Sequence, residues 1–240
     1  GVRDAVDGPQ GSIAGVLGLS GNGNVDITIG EGGVNGRYGI RATGANSTIT
    51  VNGDIFVNED GYAAIAVSTR GEIEPRNQIA INSGTTVDAS NGIYGLLSKY
   101  GSTEIVVAGE LIGGSESAIR TNAQFSYDPQ NMIVAGQTRV EIQSGAVLAL
   151  GGSGELAFDL SLINTSQLTE ADQSAPEIRL EINDGTQYFN FDQFEKVGSG
   201  TAILSGTNAE VDNFAVREGT LQLEGVTADA MAVDLIAGEV

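Results

Sequence analysis

The chain of 240 residues contains no Cys, no His and no Trp, only 4 Pro, and Lys at just two positions, Lys99 and Lys196. Without Cys there is no disulfide, no thiol nucleophile and no thiolate zinc site, and without His the Ser-His-Asp, Cys-His and imidazole-metal centres are excluded as well. No apolar run approaches the roughly 18 residues that a membrane-spanning helix needs. Gly1-Val2-Arg3-Asp4 does not open a signal peptide, so the chain reads as a mature or excised soluble segment. Basic residues are also scarce, 11 against 31 acidic, for a net charge of −20. Such a surface repels nucleic acid and anionic headgroups, and neither is expected as a partner. The plain reading of the acidity is solubility; the sharper one is that carboxylates collect divalent cations.

What the chain does have is 35 Gly and 40% hydrophobic residues, mostly Ala, Val, Ile and Leu. That apolar fraction is enough for a substantial core, and the Gly count points to many turns rather than long helices. A disordered chain would be poorer in branched aliphatics, and collagen would need Gly at every third position.

Two markers recur along the sequence. One is a β-branched alternating run closed by Gly: Val25 to Gly30, Ile49 to Gly53, Ile79 to Gly84, Ile105 to Gly109 and Val140 to Gly145. These glycines are spaced 23, 31, 25 and 36 residues apart. Between the runs lies a second unit, Tyr38 to Ala42, Ala63 to Val67, Tyr94-Gly95-Leu96-Leu97-Ser98 and Ser117 to Thr121, whose centres Ile40, Ile65, Leu96 and Ile119 are spaced 25, 31 and 23 apart. Both indicate a unit of about 24 residues, which suits three short strands with turns, one face of each strand inward. Stacked units then pair equivalent strands in register about 4.8 Å apart. The expected fold is all-β, a right-handed parallel β-helix of roughly ten coils, on the order of 45 to 50 Å long at that spacing. Propeller blades would be longer and richer in aromatics, and leucine-rich repeats would show a Leu pattern that is missing.

The inward positions are expected to be the Val, Ile and Leu of both units, with Ala and Gly in the corners. Residues 1–187 read as coils with loop insertions near 71–77, 122–137 and 160–176. Residues 188–240 read as C-terminal coils continuous with the same helix. Tyr188, Phe189, Phe191, Phe194 and Phe214 there gather five of the thirteen Phe and Tyr residues, as a better-packed terminal core would.

In this C-terminal part, Phe194-Glu195-Lys196-Val197-Gly198-Ser199-Gly200-Thr201-Ala202-Ile203-Leu204-Ser205-Gly206-Thr207-Asn208 is followed by Gly219-Thr220-Leu221-Gln222-Leu223. The stretch resembles a divergent copy of the repeat that ends the passenger domains of bacterial autotransporters. The resemblance implies an extracellular parallel β-helix, secreted or displayed on the bacterial surface, whose C-terminal stem folds first and templates the rest. It also implies an outer-membrane barrel downstream in the full-length protein, with no membrane insertion by this segment. Because passengers cross the outer membrane unfolded, it offers a reason for the absence of Cys.

Catalytic candidates are few in kind. Paired carboxylates could hydrolyse a glycosidic bond, and Glu59 with Asp60, Glu72 with Glu74, and Glu170 with Asp172 are such pairs; among 31 acidic residues each reads first as a solvated turn. Asn58-Glu59-Asp60-Gly61 could hold calcium at a turn, although it lacks the ligand spacing of a defined loop. Gly151-Gly152-Ser153-Gly154-Glu155 begins like a calcium repeat, but Leu156 takes the Asp position. No catalytic residue, metal ligand or cofactor is therefore expected. Tyr38, Tyr62 and Tyr94 recur once per coil near one corner. Exposed, they would form a ladder for an extended glycan or another protein; alternatively each fills a corner with its hydroxyl reaching solvent.

The expected function is a non-catalytic adhesin or self-association module, binding a host or matrix protein, a glycan or another copy of itself through multivalent contacts along a stiff rod. The alternatives are a carboxylate-dependent polysaccharide-cleaving enzyme on the same scaffold, and a secreted effector that engages a host receptor through the loops at 122–137 or 160–176.

Overall fold

A computed structural model describes residues 2–4, 14–20, 23–69, 76–99, 101–122, 124–127, 132–135 and 138–150, then the strand segments 158–161, 177–182, 187–189, 194–197, 201–205, 213–216, 220–224 and 232–235. Every element among these residues is a strand. One turn of the chain runs through Tyr38–Gly44, Ser47–Val51 and Ile55–Val57, and the next begins at Ala63–Thr69. Each of these three strands belongs to a different parallel sheet, so the chain winds as a parallel β-helix.

Sheet A has ten strands, from Val2–Asp4 and Ala14–Leu19 to Ala232–Leu235, sheet B eight, from Val25–Ile29 to Thr220–Glu224, and sheet C six, from Val34–Gly36 to Gln187–Phe189. Within sheet A only Val2–Asp4 is antiparallel, lying against Ala14–Leu19 across the open edge of the first coil. A parallel sheet edge offers unpaired backbone groups to any passing strand, and this strand covers them. Nine parallel strands remain, close to the ten coils expected, and span roughly 38 Å at a spacing near 4.8 Å.

The core follows from the register. Ile40, Ile65, Leu96 and Ile119 stack in sheet A, and Ile27, Ile49, Ile79, Ile105 and Val140 in sheet B. Ile55, Val87, Leu111 and Leu148 stack in sheet C. All are buried in one continuous cluster. Burying a side chain of this size contributes on the order of 1.5 to 3 kcal/mol, and stacking repeats that gain in every coil.

The recurring glycines of the first repeat unit mark the turn from sheet B to sheet C. In Asn82–Thr85 and Gln143–Ala146 the last amide bonds back to the first carbonyl, at 3.3 and 3.0 Å. Gly84 and Gly145 take the third place of these turns with φ of 79° and 80°, a backbone state that side chains disfavour. Gly53 answers a different need: a Cβ there would sit 1.8 Å from the carbonyl oxygen of Gly30 in the coil below.

One expectation about the core is corrected. Leu97, taken from the sequence as inward with Leu96, faces the outer side of sheet A, where it joins Ala63, Ala66 and Tyr94 in a second, smaller cluster. Two adjacent residues of a strand point to opposite faces, so both Leu residues cannot enter the same core.

The interruption at 122–137 holds a β-hairpin: Gln124–Tyr127 pairs antiparallel with Met132–Ala135 and with no strand of the three sheets. Arg76 and Asn77 begin a strand of sheet B, Asn122 ends one of sheet A, and Leu160 and Ser161 end another. Beyond Gln187–Phe189, sheets A and B continue without a further sheet C strand among the described residues, and the repeat falls from about 24 residues to 19, the interval from Thr201 to Thr220 and from Asn213 to Ala232. Thr201, Ala202 and Leu204 lie in register with Thr220, Leu221 and Leu223. The strands that begin at Thr201 and Thr220, both within the resemblance, thus occupy one position in successive coils, and Phe194 pairs in register with Phe214.

Candidate binding surface

The tyrosine ladder is set by the corner that leads into sheet A. Tyr38 and Tyr94 both lie level with Ala63, and Tyr62 sits one residue before it. Backbone bonds fix this stagger: the Tyr62 amide donates to the Arg37 carbonyl at 2.8 Å, and the Tyr94 amide to the Tyr62 carbonyl at 2.9 Å. The rings are therefore held one above another. The Tyr38 and Tyr62 centroids are 5.4 Å apart and tilted, and those of Tyr62 and Tyr94 are 5.3 Å apart, edge to face. Both contacts fall in the range where aromatic pairs attract.

The three tyrosines do not share one role. Tyr94 is buried, and its hydroxyl donates to Glu116 Oε2 at 2.5 Å while accepting from Arg120 Nη1 at 2.7 Å. The guanidinium of Arg120 also lies 5.3 Å from the Tyr94 ring centroid and 3.3 Å from Glu116. Burial above all, then the hydrogen bond to Glu116, pushes the Tyr94 phenol up to about 12, against the opposing pull of the Arg120 cation. Tyr94 is thus the anchored end of the ladder. Tyr38 and Tyr62 are half-buried and keep a face toward solvent.

Beside them, on the outer face of sheet A, lies a depression of about 210 Å³ lined by Tyr38, Tyr62, Arg41, Ala66, Leu97, Lys99 and sheet residues between them. Its shape comes from the strand register. Arg41, Ala66 and Leu97 form one outward column, Thr43, Ser68 and Lys99 the next. The middle strand places Ala66 and Ser68, both small, between long side chains on either flank. Arg41 reaches over the Tyr38 ring, 5.5 Å from its centroid. No Asp or Glu lines the depression, although the chain carries 31 of them.

Among the sequence candidates, Tyr38, Tyr62 and Tyr94 are brought together, and only the first two border the depression. Arg41 and Lys99 were not singled out from the sequence. Arg41 and Arg120 do occupy the same place in the second repeat unit, a signal that alignment of the coils exposes. Lys99 stands 58 residues from Arg41, and only the register joins them. Of the acidic pairs, Glu59 and Asp60 are exposed at a turn where Asp60 adopts a φ of 56° and its carbonyl accepts from the Arg37 guanidinium. Glu72, Glu74, Glu170, Asp172 and the near match at 151–156 lie outside the described residues. Among the described residues, no three Asp, Glu, His or Cys side chains are placed to hold a metal ion, and no helix is long and apolar enough to cross a membrane.

The fold and the surface together define a β-helical solenoid with an aromatic and cationic recess on one flank. No family model, curated protein or solved structure matches the chain.

Proposed function

We propose that the protein is a secreted or surface-displayed segment of an autotransporter passenger that works as a non-catalytic adhesin or self-association scaffold. The observation that carries the binding role is the ladder of Tyr38, Tyr62 and Tyr94 with the adjacent recess, fixed on a sheet rather than on a loop. A rigid, half-exposed aromatic surface loses little entropy when it meets a ligand, which favours recognition. The strands that begin at Thr201 and Thr220, equivalent in successive coils, support the passenger reading. The lack of His and Cys supports a role without imidazole or thiol chemistry.

The test is a screen of the purified protein against arrayed glycans and matrix proteins, with sedimentation for self-association. Binding should appear in one of these and fall at least about tenfold in Tyr62→Ser, whose ring sits at the centre of the ladder. A blank screen together with a strict monomer up to high concentration overturns the reading.

A further inference from the structure

Resting on this binding role, we propose that the recess on sheet A is a subsite for one carboxylate-bearing ring of an acidic saccharide, held between Arg41 and Lys99 and stacked against Tyr38 and Tyr62.

Charge distribution makes the first argument. With 31 acidic and 11 basic residues, a recess of this size formed at random would be expected to include a carboxylate, yet this one has two cations and no acid. Outside the recess, two of the described arginines are paired with carboxylates: Arg120 with Glu116, and Arg139 with Glu104 and Glu141. Arg41 and Lys99 have no carboxylate partner among the described residues. Their strands are two spacings apart, roughly 10 Å, with Arg41 level with Ala66 and Lys99 level with Ser68, so the two cations flank the small residues of the middle strand diagonally. A carboxylate placed there accepts charge-assisted hydrogen bonds, and Arg supplies a planar fork that matches its two oxygens.

Shape and wall chemistry make the second. The recess holds about 210 Å³, below the roughly 300 to 1,000 Å³ of sites that enclose drug-sized ligands. It therefore takes one ring, with the remainder of a chain running along the flank. Tyr38 and Tyr62 offer half-exposed apolar surface suited to the C–H face of a pyranose, while their hydroxyls remain available for its hydroxyl groups. An anionic membrane fits less well, because the net charge of −20 opposes approach to an extended negative surface.

The experiment is calorimetric titration of the intact chain with a glucuronic-acid oligosaccharide and with the neutral glucose oligosaccharide of equal length. The acidic sugar should bind at least about tenfold more tightly, and Arg41→Gln and Lys99→Gln should each weaken it by about tenfold while circular dichroism stays unchanged. Equal affinity for the two sugars overturns the proposal, as does wild-type affinity in the folded double variant or no binding of the acidic sugar at millimolar concentration. A protein that fails here but still binds on the glycan or matrix screen retains its scaffold role and loses this ligand. A blank screen removes both.

Discussion

At the scale of single residues, polar side chains inside the solenoid separate two energetic situations. Ser47, Asn77, Thr103 and Thr138 form an inward column at the start of the sheet B strands. Thr103 Oγ1 lies 2.7 Å from Ser98 Oγ, both buried, whereas Thr138 Oγ1 has no hydrogen-bond partner among the described residues. Removing one partner of a buried hydrogen bond strands the other, while removing an unsatisfied hydroxyl removes a cost. Thr103→Val should therefore lower stability by about 1 to 2 kcal/mol, and the equally shaped Thr138→Val should leave it unchanged or raise it. Denaturant unfolding of the two variants checks this, and equal losses would contradict it.

Tyr94 supplies the other residue-scale test. Its phenol is raised from 10.0 to about 12 in the folded state. Between those values the unfolded chain releases this proton while the folded chain keeps it, so the unfolded state gains. The stabilising contribution is complete below pH 10 and declines as pH rises toward 12. Ultraviolet titration should show a phenol component with a midpoint near 12 that Tyr94→Phe removes. The same variant should have a shallower loss of stability across that window. A titration identical with and without Tyr94 would contradict the anchored role of this ring.

At the scale of elements, each strand belongs to a column, and insertions between columns are tolerated because they leave the pairing intact. The hairpin of Gln124–Tyr127 and Met132–Ala135 pairs only with itself. Replacing residues 123–136 with a short Gly-Ser link should keep the β-sheet circular dichroism and shift the melting temperature by only a few degrees, since lengthening or shortening a surface loop changes closure entropy slowly. Cooperative unfolding lost in that variant would show that the hairpin is part of the packing between coils.

The same column logic explains what the sequence disclosed. The repeat was legible because every coil must present a branched aliphatic at the same place, as at Ile40, Ile65, Leu96 and Ile119, and because the turn from sheet B to sheet C keeps calling for Gly. The tyrosine corner was legible for the same reason, recurring once per coil. The facing of Leu97 was not, because a Leu-Leu pair does not reveal which residue points inward. The recess was not either: it depends on Arg41, Ala66 and Lys99 lying side by side, and connections of unequal length hide that adjacency until the register is known. The shorter terminal repeat, at 19 residues, escaped notice because a change in the connection between sheets B and A leaves the markers of those two sheets in place.

At the scale of the whole molecule, a solenoid of this kind is stable through neighbours, and a binding flank works because distances along it are fixed by strand spacing. The outward column of sheet B passes through Asp26, Thr48, Gln78, Glu104 and Arg139, separated by 22, 30, 26 and 35 residues. In a parallel β-helix these unequal segments must each advance the chain by one spacing. The absence of Cys allows clean spin labelling at Cys substitutions of these surface positions. Electron paramagnetic resonance distances from Asp26→Cys to Cys substituted at Thr48, Gln78, Glu104 and Arg139 should rise by equal steps of about 4.8 Å, reaching roughly 19 Å at Arg139. Distances that follow sequence separation instead, or that fail to increase in equal steps, would contradict the in-register coil on which the ladder, the recess and the binding role all depend.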